Sequence, residues 1–387
     1  MNSQKSGLYV HIPFCEKKCN YCDFYSIEKY ELSKNFQQTY LNALIQDLKE
    51  KKEKYFINTE LSSIFFGGGT PSIFDPDFYF KFLYEIKNIF TNTNFNNIEI
   101  SMEANPESLC ERKINEYKRA GINRLNIGIQ SRKKEFLNYL GRKSTIDEVD
   151  LLKALHQSEF ENYGIDLIYS LPMQNWNDIK QDIDWAIDNN VKHISLYSLT
   201  IEKKTKLEKE IFLKKKKKPS EKRSFIYQKI ITEYLKKNSY NHYEVSNFAK
   251  NKFECEHNLN YWRYRPYIGL GASAHSFNGK VRIINTTNIK NYIKQNKYKL
   301  VSSQLNPDLF IGIFRITEFQ PLSKFKKIMK FHEFLLFQKK IIEFANKNWI
   351  NIKKTGFNIT ENGLLQSDTM LIEMSNILSR EDEKLFA

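Results

Sequence analysis

The sequence contains no run of about 18 apolar residues, so no membrane-spanning helix is expected from it. Its opening residues pass into a strand-like segment without the apolar centre of a secretory signal. No repeat of solenoid type is present. Cysteine is sparse, five in 387 residues. Three of the five, Cys15, Cys19 and Cys22, crowd into eight residues, where pairing would always leave one thiol over. A disulfide framework is therefore excluded, and the expected setting is a reducing cytoplasm in which thiols serve as metal ligands. The glycine run 67–69 lacks the Gly-Lys-Ser/Thr ending of a Walker loop.

What is abundant is positive charge, +15 overall with a pI near 9.3. Lysine is mixed with Asn and Ile along the chain, and the densest run, 214–218, holds no aromatic residues and abuts Pro219-Ser220. It reads as a solvated loop, so nucleic acid is not an expected partner, whereas an acidic ligand such as a porphyrin carboxylate would benefit from the field.

Strand-like runs at 8–12, 61–66, 98–102, 124–129, 163–169 and 193–199 alternate with helical periodicity at 37–54, 76–90, 107–120, 133–140, 146–158 and 176–188. Six alternations predict an α/β fold with a parallel sheet, too short for a closed eight-fold barrel but suited to an open, partial (β/α)6, TIM-like one. Residues 1–200 form the expected core and 201–298 an extension of it. Within that extension 202–220 reads as lysine-rich and partly exposed, followed by a helix at 221–238, a strand at 240–247 and a glycine-rich turn at 269–275. Residues 299–387 read as a small helical domain, winged-helix-like because a helix at 332–347 precedes two short strands that can pair across Lys354-Thr-Gly356.

In a parallel sheet, residues just past the carboxyl ends of the strands gather on one edge, where ligands bind. The three cysteines follow the first strand. Gly67-Gly68-Gly69-Thr70-Pro71 follows the second, Glu103 the third and Gln130 the fourth, with Asp166 inside the fifth. Three thiolates can hold an iron–sulfur cube and leave one iron open, and with His11 they could alternatively form a zinc staple. Three glycines after a buried strand let backbone approach a ligand, such as the amine and carboxylate of S-adenosylmethionine. Glu103, Asp166 and Arg142 suit ribose hydroxyls, an ammonium and a carboxylate. His257 and Trp262 fit core or turn positions, and a neutral imidazole at His257 also fits an axial heme ligand, with Cys255 as runner-up. Cys110, in a helical segment, reads as a small buried hydrophobe.

On Cys15-xxx-Cys19-xx-Cys22 together with Gly67-Gly-Gly-Thr-Pro71, the chain resembles the radical S-adenosylmethionine superfamily. Tyr9-Val-His-Ile-Pro-Phe-Cys15, Asp166-Leu-Ile-Tyr-Ser-Leu-Pro172, Tyr243-Glu-Val-Ser-Asn-Phe-Ala249 and His257-Asn-Leu-Asn-Tyr-Trp262 extend the likeness over nearly the full length. They point to the branch that contains oxygen-independent coproporphyrinogen III dehydrogenases and heme chaperones. The resemblance implies a partial barrel with a C-terminal helical domain. It also implies a 4Fe-4S cluster on Cys15, Cys19 and Cys22, with S-adenosylmethionine on the open iron. Tyr9, Tyr21, Gly68, Gly69, Thr70, Glu103, Gln130, Arg142 and Asp166 fall where family members contact that cofactor. The family's histidine after Gly-Arg-x is Ser144 here.

Three features favour the chaperones. The dehydrogenases carry a further cysteine where this chain has Phe24, they have a long segment ahead of the cluster loop, and the His-Asn-x-x-Tyr-Trp block is similar to the chaperones' heme-linked motif. The resemblance therefore implies a cytoplasmic chaperone that binds heme, with His257 as candidate ligand, and passes it to an acceptor protein, soluble or membrane-associated. The alternative is the dehydrogenase, which decarboxylates porphyrinogen propionates by radical chemistry.

Overall fold

A computed structural model describes residues 4–382 apart from 29, 143–147, 296–297 and 303–306. The first unit runs β1 (Gln4–Ile12), the short strands β2 (Phe14–Cys15) and β3 (Ile27–Glu28), then α1 (Lys34–Tyr55). Next come β4 (Thr59–Gly68), α2 (Pro76–Ile89), β5 (Glu99–Ala104), α3 (Glu111–Ala120), β6 (Arg124–Gln130), α4 (Lys134–Leu140) and α5 (Glu148–Gln157). β7 (Tyr163–Tyr169), α6 (Trp176–Asp188) and β8 (His193–Ser198) complete six strand–helix alternations. The expected Ser144 departure lies outside the described residues.

Local chemistry sets these boundaries. Ser33 caps α1 by accepting from Phe36 N at 3.2 Å, Asp75 with Pro76 opens α2, and Asn175 with Asp178 forms a capping box on α6. All seven residues of β6 are buried, as expected for a parallel strand covered on both faces. Strands β1, β4, β5, β6, β7 and β8 are parallel neighbours in that order, the partial barrel predicted from periodicity.

The sheet is nevertheless twice as wide as the six alternations require. Among the described residues it has twelve strands, ordered β14-β13-β12-β11-β1-β4-β5-β6-β7-β8-β10-β9. On one side, β9 (Asn241–Glu244) and β10 (Asn247–Ala249) form a hairpin where one strand was expected, because the turn at Val245-Ser246 is held by Glu244 accepting from Ser246 N at 3.2 Å. On the other, β11 (Tyr267–Leu270) pairs in parallel with β1, Gly7 opposite Tyr267 and Val10 opposite Leu270. It is followed by β12 (His275–Phe277), β13 (Val281–Asn285) and β14 (Tyr298–Ser302). The expected glycine-rich turn is therefore partly strand. Gly269 is glycine because a Cβ would stand 1.9 Å from the His275 carbonyl, and Gly271, at φ +98°, makes the turn with Ser273, at φ +68°.

Between the barrel and β9, α7 (Lys206–Phe212) lies in the lysine-rich segment, the 214–218 run is loop as expected, and α8 (Glu221–Lys237) follows. α9 (Glu256–Trp262) lies under β1 and β4, and α10 (Ile289–Gln295) beside α1. One apolar core reaches from Leu8 to Tyr292, and a second holds residues from Leu309 to Met374. The second surrounds α11 (Pro307–Ile313), β15 (Gln320–Pro321), α12 (Leu322–Ile328), α13 (Phe331–Asn346), β16 (Ile350–Lys353), β17 (Gly356–Ile359), α14 (Glu361–Leu364) and α15 (Ser367–Asp382). The helix followed by a β16–β17 hairpin is the order read from the sequence.

Candidate functional site

Strand β1 delivers the chain to the carboxyl edge of the sheet, where Phe14 wedges among Tyr30, Phe36, Tyr40 and Phe74. That anchor fixes where the cysteine loop leaves the barrel. The loop is tied again at Asn20, whose N–H donates to the Leu140 carbonyl at 2.9 Å and whose carbonyl accepts from Leu207 N at 2.8 Å. All three loop thiols are unpaired and half-buried. Burial pushes Cys15 up, and it pushes Cys22 to about 11, with the Cys19 and Cys15 charges adding to the effect at Cys22. Cys15 and Cys22 thus resist ionising, and a positive centre beside them would stabilise their thiolates.

The zinc alternative does not survive the geometry. His11 donates Nε2–H to the Tyr25 carbonyl and accepts from Tyr9 OH at Nδ1, each at 2.9 Å, so both nitrogens are committed within the barrel. Among the described residues, no three His, Cys, Asp or Glu side chains are gathered closely enough for a single ion. Three thiols on one loop are the ligand number that leaves one iron of an iron–sulfur cube open.

The glycine run crosses this loop at contact distance. A Cβ on Gly68, at φ +117°, would meet the His11 ring at 2.6 Å. One on Gly69 would stand 2.6 Å from the Phe14 carbonyl and 2.9 Å from Cys15 Sγ. Gly69 N donates to Ile12 O at 2.8 Å and Thr70 N to Phe14 O at 2.9 Å, and Thr70 Oγ1 lies 3.7 Å from Cys15 Sγ. These glycines are needed as much to seat the cysteine loop as to admit a ligand.

Across the mouth, Glu103 Oε2 accepts from Gly68 N at 3.1 Å. Burial, with the neighbouring Asp166 charge, raises the Glu103 carboxyl to about 8, against the pull of the Gly68 N–H. Asp166, opposite Gly128 and Ser195 in the sheet, is raised by burial, and its Oδ1 is buried without a hydrogen-bond partner. Gln130 takes φ +69°, which turns the end of β6, and both its amide and the Arg142 guanidinium lean over Gly128. Arg142 donates to Asn105 Oδ1 at 2.6 Å, and Asn105 in turn donates to Thr70 Oγ1 at 3.2 Å. Tyr9 lies beside Gly67 inside the barrel. Tyr21 stands beside Arg142, its hydroxyl raised by burial and by the Cys19 charge. A cavity of about 240 Å³ between Cys19, Thr70, Asn105, Gly141 and Arg142 opens onto this group.

The structure thus places the sequence-predicted residues of the cluster and cofactor sets around the carboxyl edge of the sheet, with Tyr9 and Asp166 deeper in the barrel. It adds Asn105, which links Thr70 to Arg142, and Tyr197, on the inward-facing register of β8 and 42% exposed within the mouth. Asn105 was visible as the Asn of Glu103-Ala-Asn-Pro106. Tyr197 had no signal beyond its place in a strand.

His257, the candidate heme ligand, is enclosed in this structure. It is 1% exposed, with Nδ1 2.8 Å from Ser63 Oγ and Nε2 3.0 Å from Tyr261 OH, so neither nitrogen is open to iron. Burial lowers it to about 3. Cys255 is equally enclosed, its thiol donating to Glu99 Oε1 at 3.4 Å. Cys110, expected to be buried, is exposed at the N-terminus of α3.

The sequence pattern of the Radical SAM superfamily matches residues 9–186. A heme chaperone HemW of Buchnera aphidicola subsp. Schizaphis graminum is 36% identical over 336 residues, covering 82% of this chain and 84% of that protein. The heme chaperone HemW of Bacillus subtilis is 31% identical, covering 92% and 96%. Among solved structures, the coproporphyrinogen III oxidase HemN of Escherichia coli superposes with a TM-score of 0.78 at 21% identity, over 96% of this chain and 90% of that one, and shares the fold.

Proposed function

Because this chain belongs to the radical SAM superfamily and, within it, to the heme chaperone HemW family, we propose that it is a cytoplasmic heme carrier. It holds a 4Fe-4S cluster on Cys15, Cys19 and Cys22, binds S-adenosylmethionine beside it, and passes heme to an acceptor protein, soluble or membrane-associated. When bound, the cluster and its cofactor supply one-electron chemistry that can gate the carrier. The residues do the holding. The edge of Gly67 to Thr70 presents backbone, the near-neutral Glu103 receives an ammonium, and Arg142, steadied by Asn105, receives a carboxylate.

Phe24 carries the choice of carrier over catalyst. Its ring is 65% exposed, and its contribution to the loop is a carbonyl that accepts from Lys18 Nζ at 2.8 Å. At this position the related dehydrogenases keep a further cysteine, and nothing in the surrounding loop replaces that thiol.

The test is anaerobic. Reconstituted protein is given reductant, S-adenosylmethionine and coproporphyrinogen III, and separately titrated with heme. Saturable heme binding without protoporphyrinogen IX supports the carrier, and sustained product would overturn it. His257→Ala belongs in the same titration. Because His257 is closed to iron, heme affinity should change less than about twofold per folded molecule. A loss of binding at unchanged fold would restore it as the ligand.

A further inference from the structure

One surface has no part in the cofactor site. Residues 203–229 carry twelve Lys and Arg against three Glu, a net +9 of the chain's +15. The basic charge is thus concentrated on α7, the following loop and the start of α8, rather than spread evenly. Lys214, Lys215, Lys217 and Lys218 are exposed, and of these only Lys218 has an ion pair among the described residues, an exposed one to Glu221.

Large apolar side chains stand out of the same surface. Phe212 is 83% exposed and Met173 76%, and Leu213, Phe225 and Ile226 are also exposed. They are held together by the elements beneath them. Leu171, Leu199 and Leu207 share one apolar cluster with Ile211 packed against it, so the 171–173 loop and α7 are neighbours. Arg223 and Tyr227 of α8 both donate to the Gln174 carbonyl, the latter at 3.3 Å, which brings α8 to the same loop. Met173 sits at φ +67° and Lys214 at φ +55°, backbone conformations that cost a non-glycine residue free energy. Both turns project their neighbours into solvent instead of folding them onto the core.

The make-up of the patch favours one kind of occupant. The exposed apolar groups stand at the end of α7, in the 171–173 loop and in the first turns of α8, and the exposed lysines of 214–218 follow directly on Phe212 and Leu213. That combination matches interfacial insertion between lipid headgroups, with aromatic and aliphatic tips in the acyl boundary and ammonium groups on anionic phosphates. A protein partner with an acidic face would be served by the lysines alone. The patch also flanks the barrel mouth, since Leu207 N bonds to Asn20 in the cysteine loop and Tyr139 OH donates to the Lys217 carbonyl at 2.7 Å.

We propose that Met173, Phe212, Leu213, Phe225 and Ile226, ringed by the lysines of 214–218, dock this protein on an anionic lipid surface with the barrel mouth beside the bilayer. The inference stands on the surface alone and does not depend on heme.

The experiment is sedimentation of the cluster-loaded full chain with vesicles of phosphatidylcholine and phosphatidylglycerol, against vesicles of phosphatidylcholine alone. Binding is expected to the anionic vesicles, and it should weaken about tenfold or more when Lys214, Lys215, Lys217 and Lys218 are changed to Gln. Phe212→Ser with Leu213→Ser should weaken it about tenfold while circular dichroism and iron content stay unchanged. In Phe212→Trp, vesicles containing brominated lipid should quench the new indole, a gain of signal that loss of folding cannot imitate. Absence of binding, equal binding to neutral vesicles, or an unquenched indole would overturn the proposal. So would full binding by the Phe212→Ser, Leu213→Ser variant together with equal binding to polyglutamate, which would mark a docking site for an acidic protein instead.

Discussion

Glu103 keeps its proton at neutral pH because burial, with Asp166 nearby, lifts its carboxyl to about 8 from an ordinary 4.5. A folded-state value above the unfolded one means that the native protein holds a proton the unfolded chain has released. Between about 4.5 and about 8, stability therefore falls as pH rises. Glu103→Gln should flatten that slope, read as the urea midpoint across the same window, and an unchanged slope would contradict the assignment. The same residue makes a second prediction about binding. An ammonium seated on Glu103 expels its proton, so titration of S-adenosylmethionine near pH 7 should release protons, seen as heats that vary with the buffer's ionisation enthalpy. In Glu103→Gln this variation should vanish and affinity should fall about tenfold or more. At Gly69 the constraint is steric. Ala there places a Cβ 2.6 Å from the Phe14 carbonyl, so Gly69→Ala should cost about 1–3 kcal/mol in denaturant melts and lower iron content per chain.

At the scale of elements, α1 is fastened to the added strands by a buried charge network. Lys51 Nζ reaches Asp47 at 3.0 Å, the Gly269 carbonyl at 2.7 Å and Asn285 Oδ1 at 2.8 Å, and Tyr292 OH donates to Asp47 at 2.8 Å. Both members of the pair are almost wholly buried, so removing one strands the other in low dielectric. Lys51→Met should cost about 3–5 kcal/mol, and Asp47→Asn in the same chain should recover part of it. Thermal or urea melts of the single and double variants decide this. None of it was legible in the sequence, because Lys51 occupies an ordinary position in a lysine-rich helix. β7 and α6, by contrast, run over the residues predicted from periodicity, since each combines a clean apolar pattern with a defined start. α7 was missed because only Leu207 and Ile211 mark its inner face among lysines.

For the whole molecule, two large apolar cores imply two folding units, joined by a seam where Ile316 packs with Tyr243, Leu259 and Trp262. The seam includes the Glu244–Ile316 bridge, the Arg315 guanidinium over Trp262 at 5.4 Å, and Arg263 gripping Glu318 with bonds of 3.0 and 2.5 Å. Calorimetry should resolve two transitions rather than one. Arg263→Ala should shift one of them by a few degrees, corresponding to about 1–2 kcal/mol, and leave the other in place. A single unshifted transition would show the cores to be one cooperative unit. Among the described residues no helix is long and apolar enough to cross a membrane.

The sequence by itself determined the parallel α/β barrel and the residues at its mouth. Both follow from local periodicity and from a rule of topology: strand–helix alternation makes neighbouring strands parallel, and parallel strands bring their carboxyl ends to one edge. Cys15, Gly69, Glu103, Gln130 and Asp166 therefore had to assemble once the strands were recognised. Only the tertiary structure decided that β11 lies against β1, pairing residues some 260 positions apart with no periodic signal between them. It alone decided that His257 is locked between Ser63 and Tyr261 while Phe24 and Phe212 face water. Burial of a single side chain depends on what long-range pairing lays over it, and the residue's own neighbours in sequence do not encode that.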